Sequence, residues 1–166
     1  MKKKLILVLV IMALAVTGAF ADFGFSIGGG AVYSDLRVSQ GGVSMGASAV
    51  GVSIFVDATY VESSLGCVLN PKINGMYLTI SLLGKYPFEI TDNLIIYPTA
   101  GLDIVYLLAF SEMNRFLDIG AGIDYFFGDS FFIRAVGTYG FGVFNDVPSN
   151  FNLSHIKFRV AAGYRF

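Results

Sequence analysis

Residues 155–166 read HIKFRVAAGYRF, and their apolar side chains alternate with basic or small ones. Ile156, Phe158 and Val160 belong to the apolar set, while Lys157 and Arg159 belong to the other. Successive side chains of a β-strand point to opposite faces of the sheet. The stretch therefore predicts a strand with one apolar face and one basic face.

The two preceding segments show the same alternation. In 131–141 the odd-numbered positions are apolar or glycine, and Arg134 lies on the opposite face. In 117–125 the odd-numbered positions are again apolar, and Asp118 and Asp124 lie on the opposite face. The tetrapeptide FGDS at 127–130 is a turn signal. Two alternating segments joined by a short turn predict a β-hairpin.

Weaker alternation places five more strands earlier in the chain, which makes eight. The expected strands are 23–33, 43–54, 60–69, 75–85, 94–106, 117–125, 131–141 and 155–166. An even count and strands of about 9 to 11 residues suit a bacterial transmembrane barrel. The expected periplasmic turns are 55–59, 86–93 and 126–130, and the expected extracellular connections are 34–42, 70–74, 107–114 and 142–152.

The first 21 residues have the three parts of a secretory signal peptide. A basic start (MKKK) precedes an apolar run over 5–16, and small residues ending at Ala21 supply an Ala-x-Ala cleavage site. The apolar run is shorter than the roughly 20 residues that a membrane-spanning helix requires. We therefore expect residues 1–21 to be removed on export and residues 22–166 to form one domain.

Charge and cysteine content exclude some classes of partner. Without the leader, eight basic and twelve acidic side chains remain, a net charge near −4. No cluster of Lys and Arg offers a phosphate-binding face, so nucleic acid is not an expected partner. The single cysteine, Cys67, cannot form an internal disulfide and is expected to be a small apolar side chain on a strand.

The composition is apolar enough for a membrane protein. Hydrophobic residues make up 55% of the chain and the mean hydropathy is +0.68, yet every apolar run after the leader is interrupted by Gly, Asp, Ser or Arg. A closed barrel can still cross a membrane, because its backbone groups are bonded between strands. A soluble periplasmic sandwich or lipocalin-like barrel is the alternative, but its apolar outer face would suit water poorly. We expect an all-β fold, an eight-stranded antiparallel transmembrane β-barrel.

With its leader, its alternating strands and its final Gly163-Tyr164-Arg165-Phe166, the chain resembles the OmpA-like and OmpX-like family of small outer-membrane barrels. The resemblance covers residues 22–166 and implies insertion into the bacterial outer membrane. It also implies that Gly163, Tyr164 and Phe166 form the aromatic signal that the barrel assembly machinery recognises. Outer-membrane lipid and that machinery are then the expected partners. No single activity is implied, because the fold hosts structural, adhesive, resistance-linked and enzymatic members.

The inward-facing polar residues are the candidate functional set. They are Glu62, Tyr77, Lys85, Asp103, Asp118, Asp124, Arg134, Lys157, Arg159 and Arg165. Symmetry about each turn pairs Asp124 with Arg134, Glu62 with Lys85, and Asp103 with Asp118. The two aspartates would need a cation between them or a proton on one of them. The set is either a salt-bridge network that fixes the shape of a narrow barrel, or a path or gate for protons and small ions.

Enzymatic chemistry is not expected. Asp118 and Asp124 share a face but lie about 20 Å apart along a strand, too far for a general acid and base acting on one bond. His155 is the only histidine, which excludes a multi-histidine metal site, and its neighbour Ser154 points to the opposite face. A contact of His155 with Thr138 and Asp118 at the outer rim depends on the strand registers. We expect neither a cofactor nor a metal.

The expected function is structural. We expect an integral outer-membrane protein that contributes to envelope integrity, with at most limited passage of small solutes or ions. One alternative is a surface-interaction protein that binds an unknown ligand through the loops 34–42 and 142–152. A lipid-modifying enzyme of the outer membrane is the third reading.

Overall fold

The computed structural model describes residues 24–70, 75–108, 111–143 and 151–166. The predicted signal peptide lies outside these residues. The described part forms nine strands: β1 Phe25–Gln40, β2 Val43–Ala58, β3 Val61–Asn70, β4 Gly75–Lys85, β5 Phe88–Thr91, β6 Leu94–Leu107, β7 Glu112–Phe127, β8 Phe131–Gly142 and β9 Phe151–Arg165. Across these ranges no helix is long and apolar enough to span a membrane.

Eight of the strands close into an antiparallel barrel, as predicted. Neighbours in the chain pair with each other, β4 pairs with β6, and β1 pairs with β9 to close the ring. The short strand β5 continues β4 along β6 in the same register, since Lys85 faces Thr99 and Phe88 faces Ile96. Pro87 lies between β4 and β5 and has no backbone N–H to donate, which explains the interruption.

The prediction of a long periplasmic turn over 86–93 is therefore wrong. Strand β5 fills most of this interval, and only Asp92 and Asn93 form the turn. Tyr86 and Pro87 break the alternation of side chains and hide the continuing strand in the sequence. Once β5 is counted with β4, the unusual length of this connection disappears.

The predicted extracellular loop 34–42 is also wrong. Strand β1 runs to Gln40 and β2 begins at Val43, so the connection is the turn Gly41-Gly42. Both glycines have positive φ angles, 57° and 87°, which is what the two-residue turn of a twisted hairpin requires. The polar residues near the end of β1 resemble a loop in sequence because they alternate with few large apolar side chains.

The remaining connections are shorter than predicted wherever they are described. Strand β2 continues to Ala58 through most of the expected turn 55–59, and β7 begins at Glu112 inside the expected loop 107–114. The turn expected at 126–130 occupies 128–130. The connections 70–74 and 142–152 fall largely outside the described residues. We call the end with the 128–130 turn the lower end and the end with the Gly41-Gly42 turn the upper end.

The two faces of the barrel differ as the alternation predicts. Each of the eight barrel strands presents a large apolar side chain, 43% to 62% exposed, on the outer surface: Ile27, Ile54, Leu65, Leu82, Leu102, Ile119, Ile133 and Val160. The core of the described residues lies inside the ring as two apolar clusters. The lower cluster is Phe55, Ile95, Tyr97, Phe126, Phe132, Val136 and Ala161, and the upper one is Val32, Ala49, Val68, Tyr77, Val105 and Phe116.

Candidate functional site in the barrel lumen

Charged and polar side chains fill the lumen in two groups. The inner charge cluster consists of Asp57, Glu62, Lys85, Asp124, Arg134 and Arg159. The outer charge cluster consists of Ser34, Ser81, Asp103, Asp118, Thr138, His155 and Lys157. All of them lie on inward-facing positions of the barrel strands and are buried or nearly so.

Arg134 on β8 is the centre of the inner charge cluster. Its Nε and Nη2 atoms donate to the two carboxylate oxygens of Asp124 at 2.7 and 2.5 Å. Its Nη1 donates to Glu62 Oε2 at 2.7 Å, and Nη2 also donates to Asp57 Oδ2 at 2.7 Å. The predicted pair of Asp124 and Arg134 is confirmed, and these two residues face each other in the β7–β8 ladder. One guanidinium therefore joins three carboxylates.

Two further cations complete the inner charge cluster. Lys85 Nζ lies 2.6 Å from Asp57 Oδ2, and Arg159 Nη2 binds Glu62 Oε1. The predicted pair of Glu62 and Lys85 is therefore wrong in its partner, because Lys85 reaches Asp57 near the end of β2. Three carboxylates then face three cations, so the inner charge cluster is electrically balanced.

Aromatic rings enclose the Arg134 guanidinium. Its central carbon lies 4.7 Å from the ring centroid of Phe55 and 5.0 Å from that of Phe132. The Tyr97 hydroxyl donates to Asp124 Oδ1 at 3.1 Å. The guanidinium thus lies over aromatic rings while its N–H groups bind carboxylates, an arrangement that suits arginine and not lysine.

Lys157 is the centre of the outer charge cluster. Its Nζ donates to Ser81 Oγ at 2.7 Å and lies 3.0 Å from Asp103 Oδ2 and 3.7 Å from Asp118 Oδ2. The predicted approach of Asp103 and Asp118 is confirmed, and the Lys157 ammonium is the cation between them. Thr138 Oγ1 donates to Asp118 Oδ2 at 2.9 Å.

His155 connects the outer charge cluster to β1. Its Nε2 lies 2.5 Å from Ser34 Oγ, and its Nδ1 lies 3.1 Å from Asp103 Oδ2. Serine, histidine and aspartate follow each other here in the order found in hydrolases. Ser34 is nevertheless 0% exposed and His155 is 1% exposed. The arrangement therefore offers no surface from which a substrate could reach the hydroxyl.

The same group also brings together potential metal ligands. Asp103, Asp118 and His155 have ligand atoms within 4.8 Å of one another. The Lys157 ammonium lies against both carboxylates and supplies a positive charge at this position. The donor set is therefore that of a carboxylate cluster with a tethered cation, and not that of an open metal site.

Two contacts cross the whole lumen. Strand β8, which carries Arg134, is opposite β3, which carries Glu62: β9, β1 and β2 lie between them on one side, and β7, β6 and β4 on the other. Lys157 on β9 reaches Ser81 on β4, which is the strand opposite to β9. Each charge cluster thus contains a link between opposite walls of the barrel.

The other two members of the predicted set are placed differently. Tyr77 is buried in the upper apolar cluster. Arg165 is only partly buried, and its guanidinium carbon lies 4.1 Å from the Phe126 ring centroid at the lower end. Residues missed from the set include Ser34 and Asp57, because they lie in segments that were predicted to be connections. Ser53, Phe55 and Asp57 occupy alternate positions of the sequence, and this alternation indicates that β2 continues beyond residue 54.

Comparison with known proteins identifies the fold. No family model and no curated protein sequence matches the chain. The structure of Neisserial surface protein A is similar with a TM-score of 0.60 at 14% identity, over 86% of this chain and 97% of that one. Ail, the attachment invasion locus protein of Yersinia pestis, is similar with a TM-score of 0.54 at 19% identity, over 87% and 99%. One structure of Ail contains the heparin analogue sucrose octasulfate. The chain has the fold of the small eight-stranded outer-membrane β-barrels.

Proposed function

We propose that this protein is an integral protein of the bacterial outer membrane that strengthens the envelope as a closed, non-conducting barrel. The contacts that cross the lumen, from Arg134 to Glu62 and from Lys157 to Ser81, are the observation that carries this proposal. An open pore would need a continuous water-filled path, and side chains occupy the lumen of narrow barrels instead. The paired charges fix the wall strands at their mutual distances.

The apolar outer surface supports the membrane location. On β8, exposed aromatic rings lie at Phe131 near the lower end and at Tyr139 and Phe141 near the upper end. The ten steps from Phe131 to Phe141 advance about 33 Å along the strand, or about 25 Å along a barrel axis at a tilt near 40°. This height matches the apolar band of about 25 Å in outer-membrane barrels.

Aromatic rings also form a continuous patch at the lower end. The ring centroids of Phe131 and Tyr164 are 5.0 Å apart, those of Tyr164 and Phe166 are 5.1 Å apart, and those of Phe166 and Phe25 are 5.8 Å apart. Aromatic side chains concentrate at the interface between lipid and water. The patch supports a lower membrane interface at the level of these rings.

Cell fractionation and gel mobility test the membrane location. The mature chain should appear in the outer-membrane fraction, and the unheated protein should migrate faster than the boiled protein because a closed barrel resists unfolding by detergent. Recovery as a soluble periplasmic monomer would contradict the proposal. Removal of residues 1–21 should be visible in the mass of the same sample.

Planar-bilayer recording tests the closed lumen. The refolded protein should give no steady conductance above that of the lipid alone, because side chains cross the lumen in both charge clusters. A steady, ohmic conductance that scales with the number of inserted barrels would refute the closed state. An established porin in the same bilayer provides the positive control.

We also propose that the protein is not an enzyme. Ser34 is the only candidate nucleophile that contacts His155 among the described residues, and it is fully buried. A fluorophosphonate probe should leave the folded protein unlabelled. Labelling at Ser34 that is lost in Ser34→Ala would reject this part of the proposal and favour hydrolysis.

A further inference from the structure

We propose that the outer charge cluster is a proton-binding site, which holds one proton in the folded barrel and releases it on unfolding near neutral pH. The inference goes beyond the structural role proposed above. It rests on the charges and unpartnered atoms of the two clusters and not on the closed state of the lumen.

The charge count is the first step. The inner charge cluster has three carboxylates and three cations and is balanced. In the outer charge cluster, Asp103 and Asp118 face one cation, Lys157. Both aspartates are 0% exposed. With a neutral His155, the outer charge cluster would keep one negative charge away from water, which is costly. One added proton brings it to neutrality.

Within the described part of the chain, no neighbouring group supplies the missing charge. Asp35 on β1 pairs with Arg37, Nε to Oδ2 at 2.6 Å, and this pair is neutral by itself. The groups that face the outer charge cluster from each surrounding strand are Ser34 and Asp35 on β1, Tyr77 and Ser81 on β4, Asp103 on β6, Asp118 on β7, Thr138 on β8, and His155 and Lys157 on β9. Lys157 is the one permanent cation in this set, and it faces two carboxylates.

Three buried polar atoms mark the place where an added proton would form hydrogen bonds. Asp103 Oδ2, Asp118 Oδ1 and His155 Nδ1 are buried and form no hydrogen bond of good geometry among the described residues, although the Lys157 ammonium lies 3.0 Å from Asp103 Oδ2. His155 Nδ1 and Asp103 Oδ2 lie 3.1 Å apart, which is a hydrogen-bond distance. A small reorientation of either side chain would therefore form the bond. A proton shared by the cluster would provide a donor toward these oxygens. The bound proton belongs to the interacting group as a whole.

A divalent metal ion fits the same place less well. It would turn the net charge from −1 to +1, and it would have to sit beside the Lys157 ammonium, which already lies 3.0 Å from Asp103 Oδ2. A proton neutralises the cluster without displacing Lys157 from Ser81. Charge and space therefore both favour the proton.

The pH dependence of stability has a definite sign. A folded state that binds one proton more than the unfolded chain loses stability as the pH rises. A free imidazole loses its proton near pH 6.5 and a free carboxyl near pH 4, so the unfolded chain holds no such proton above about pH 7. The urea midpoint of the refolded barrel should therefore decrease as the pH rises from 7 to 9, with a slope that corresponds to one proton.

Charge-matched variants test the assignment. Asp118→Asn removes the surplus negative charge, so its urea midpoint should vary little over the same pH range. Thr138→Val removes the hydrogen bond to Asp118 but no charge, so it should lower the midpoint and keep the slope. An unchanged slope in Asp118→Asn, or a flat profile in the wild-type barrel, would overturn the proposal.

A spectroscopic measurement locates the proton without unfolding the protein. Because His155 is the only histidine, a tag-free barrel labelled with ¹⁵N-histidine gives one pair of imidazole signals. In the folded protein the signals should stay unchanged over the pH range in which the urea midpoint falls, because the folded barrel keeps its proton there, and in unfolded protein they should become those of an ordinary exposed imidazole. A change of the folded signals within this range would contradict the proposal. If Zn²⁺ instead shifts these signals and raises the wild-type midpoint but not that of His155→Gln, a metal supplies the charge and the proton site is rejected.

Discussion

Arg134 makes more polar contacts than any other side chain of the inner charge cluster. It binds Asp57, Glu62 and Asp124, which lie on three different strands. The contribution of Arg134 to stability depends on all three carboxylates, because a buried charge is tolerable only when it is paired. Loss of Arg134 would leave three buried carboxylates with only two cations.

We therefore expect Arg134→Ala to lower the free energy of unfolding strongly, by an amount that depends on whether Asp124 is present. Breaking a buried pair by removing one partner can cost about 3 to 5 kcal/mol. The double replacement with Asp124→Ala restores the balance of charge, so it should cost less than the sum of the single replacements. Urea unfolding of the refolded barrel measures all three values. Strict additivity would reject the pairing.

A matched cycle provides the control for this prediction. Asp118→Ala changes a buried carboxylate in the outer charge cluster, where its partners are Thr138 and Lys157. Combined with Arg134→Ala, it should give nearly additive changes in the free energy of unfolding, because the two residues share no partner. Strong coupling in this cycle would mean that the two clusters act as one network.

For single residues, the sequence predicts the face of the sheet on which a side chain lies better than it predicts the residues that the side chain contacts. Alternation correctly places Arg134, Lys157 and Arg159 inside the barrel. Symmetry about a turn finds only pairs on adjacent strands, such as Asp124 with Arg134. Contacts between strands that are not adjacent depend on how the whole ring is staggered, which no single hairpin reveals. The sequence therefore does not predict the link from Lys85 on β4 to Asp57 on β2.

Tyr97 and Gly122 illustrate how neighbouring strands fit together at the level of elements. Gly122 lies on β7 directly opposite Tyr97 on β6, and a Cβ atom at Gly122 would overlap the Tyr97 ring. The ring lies across the glycine and directs its hydroxyl to Asp124. The absence of a side chain at Gly122 thus makes room for a residue of the inner charge cluster.

Gly122→Ala should destabilise the barrel by about 1 to 3 kcal/mol, the usual cost of overpacking. The displaced ring would also lose its hydrogen bond to Asp124. Gly84→Ala is the matched control, because Gly84 is exposed on β4. The nearest atom to a new Cβ there would be the Ala100 carbonyl oxygen, 3.5 Å away. Its effect should stay within about 0.5 kcal/mol. Equal urea midpoints for both variants would contradict this account.

Strand positions were predictable where apolar alternation is regular. The bounds of β4 agree with the prediction, and β8 differs by one residue. Errors concentrate where small or polar residues interrupt the pattern, as in the upper part of β1 and at Pro87. Backbone pairing continues through the upper part of β1 and resumes at β5 after Pro87, because the neighbouring strand supplies the hydrogen bonds whatever the side chains are.

At the scale of the whole molecule, Phe166 lies at the seam where the barrel closes. Its N–H donates to the Phe25 carbonyl at 2.8 Å, and its side chain is 74% exposed. Deleting Phe166 should lower folding into detergent only slightly, since one hydrogen bond contributes about 1 kcal/mol. In cells the inserted amount should fall strongly if the residue belongs to the assembly signal. Western blotting of outer-membrane fractions beside refolding yields separates the two effects.

Phe131→Ala is the control for the deletion. Phe131 is also an exposed ring at the lower end and contacts Tyr164. Its replacement should leave the inserted amount nearly unchanged, because it lies outside the final strand. Similar losses for both variants in cells would assign the effect to the membrane interface and not to recognition by the assembly machinery.

The links across the lumen have a kinetic consequence. Arg134 can reach Glu62, and Lys157 can reach Ser81, only after opposite walls of the ring have come together. A partly formed sheet would therefore carry unpaired charges into lipid, so few stable intermediates should exist between the open chain and the closed barrel. The reverse step has to break both links before any strand can leave. Spontaneous opening should consequently be slow, and the lifetime of the inserted protein should be governed by an activation barrier that the lumen creates.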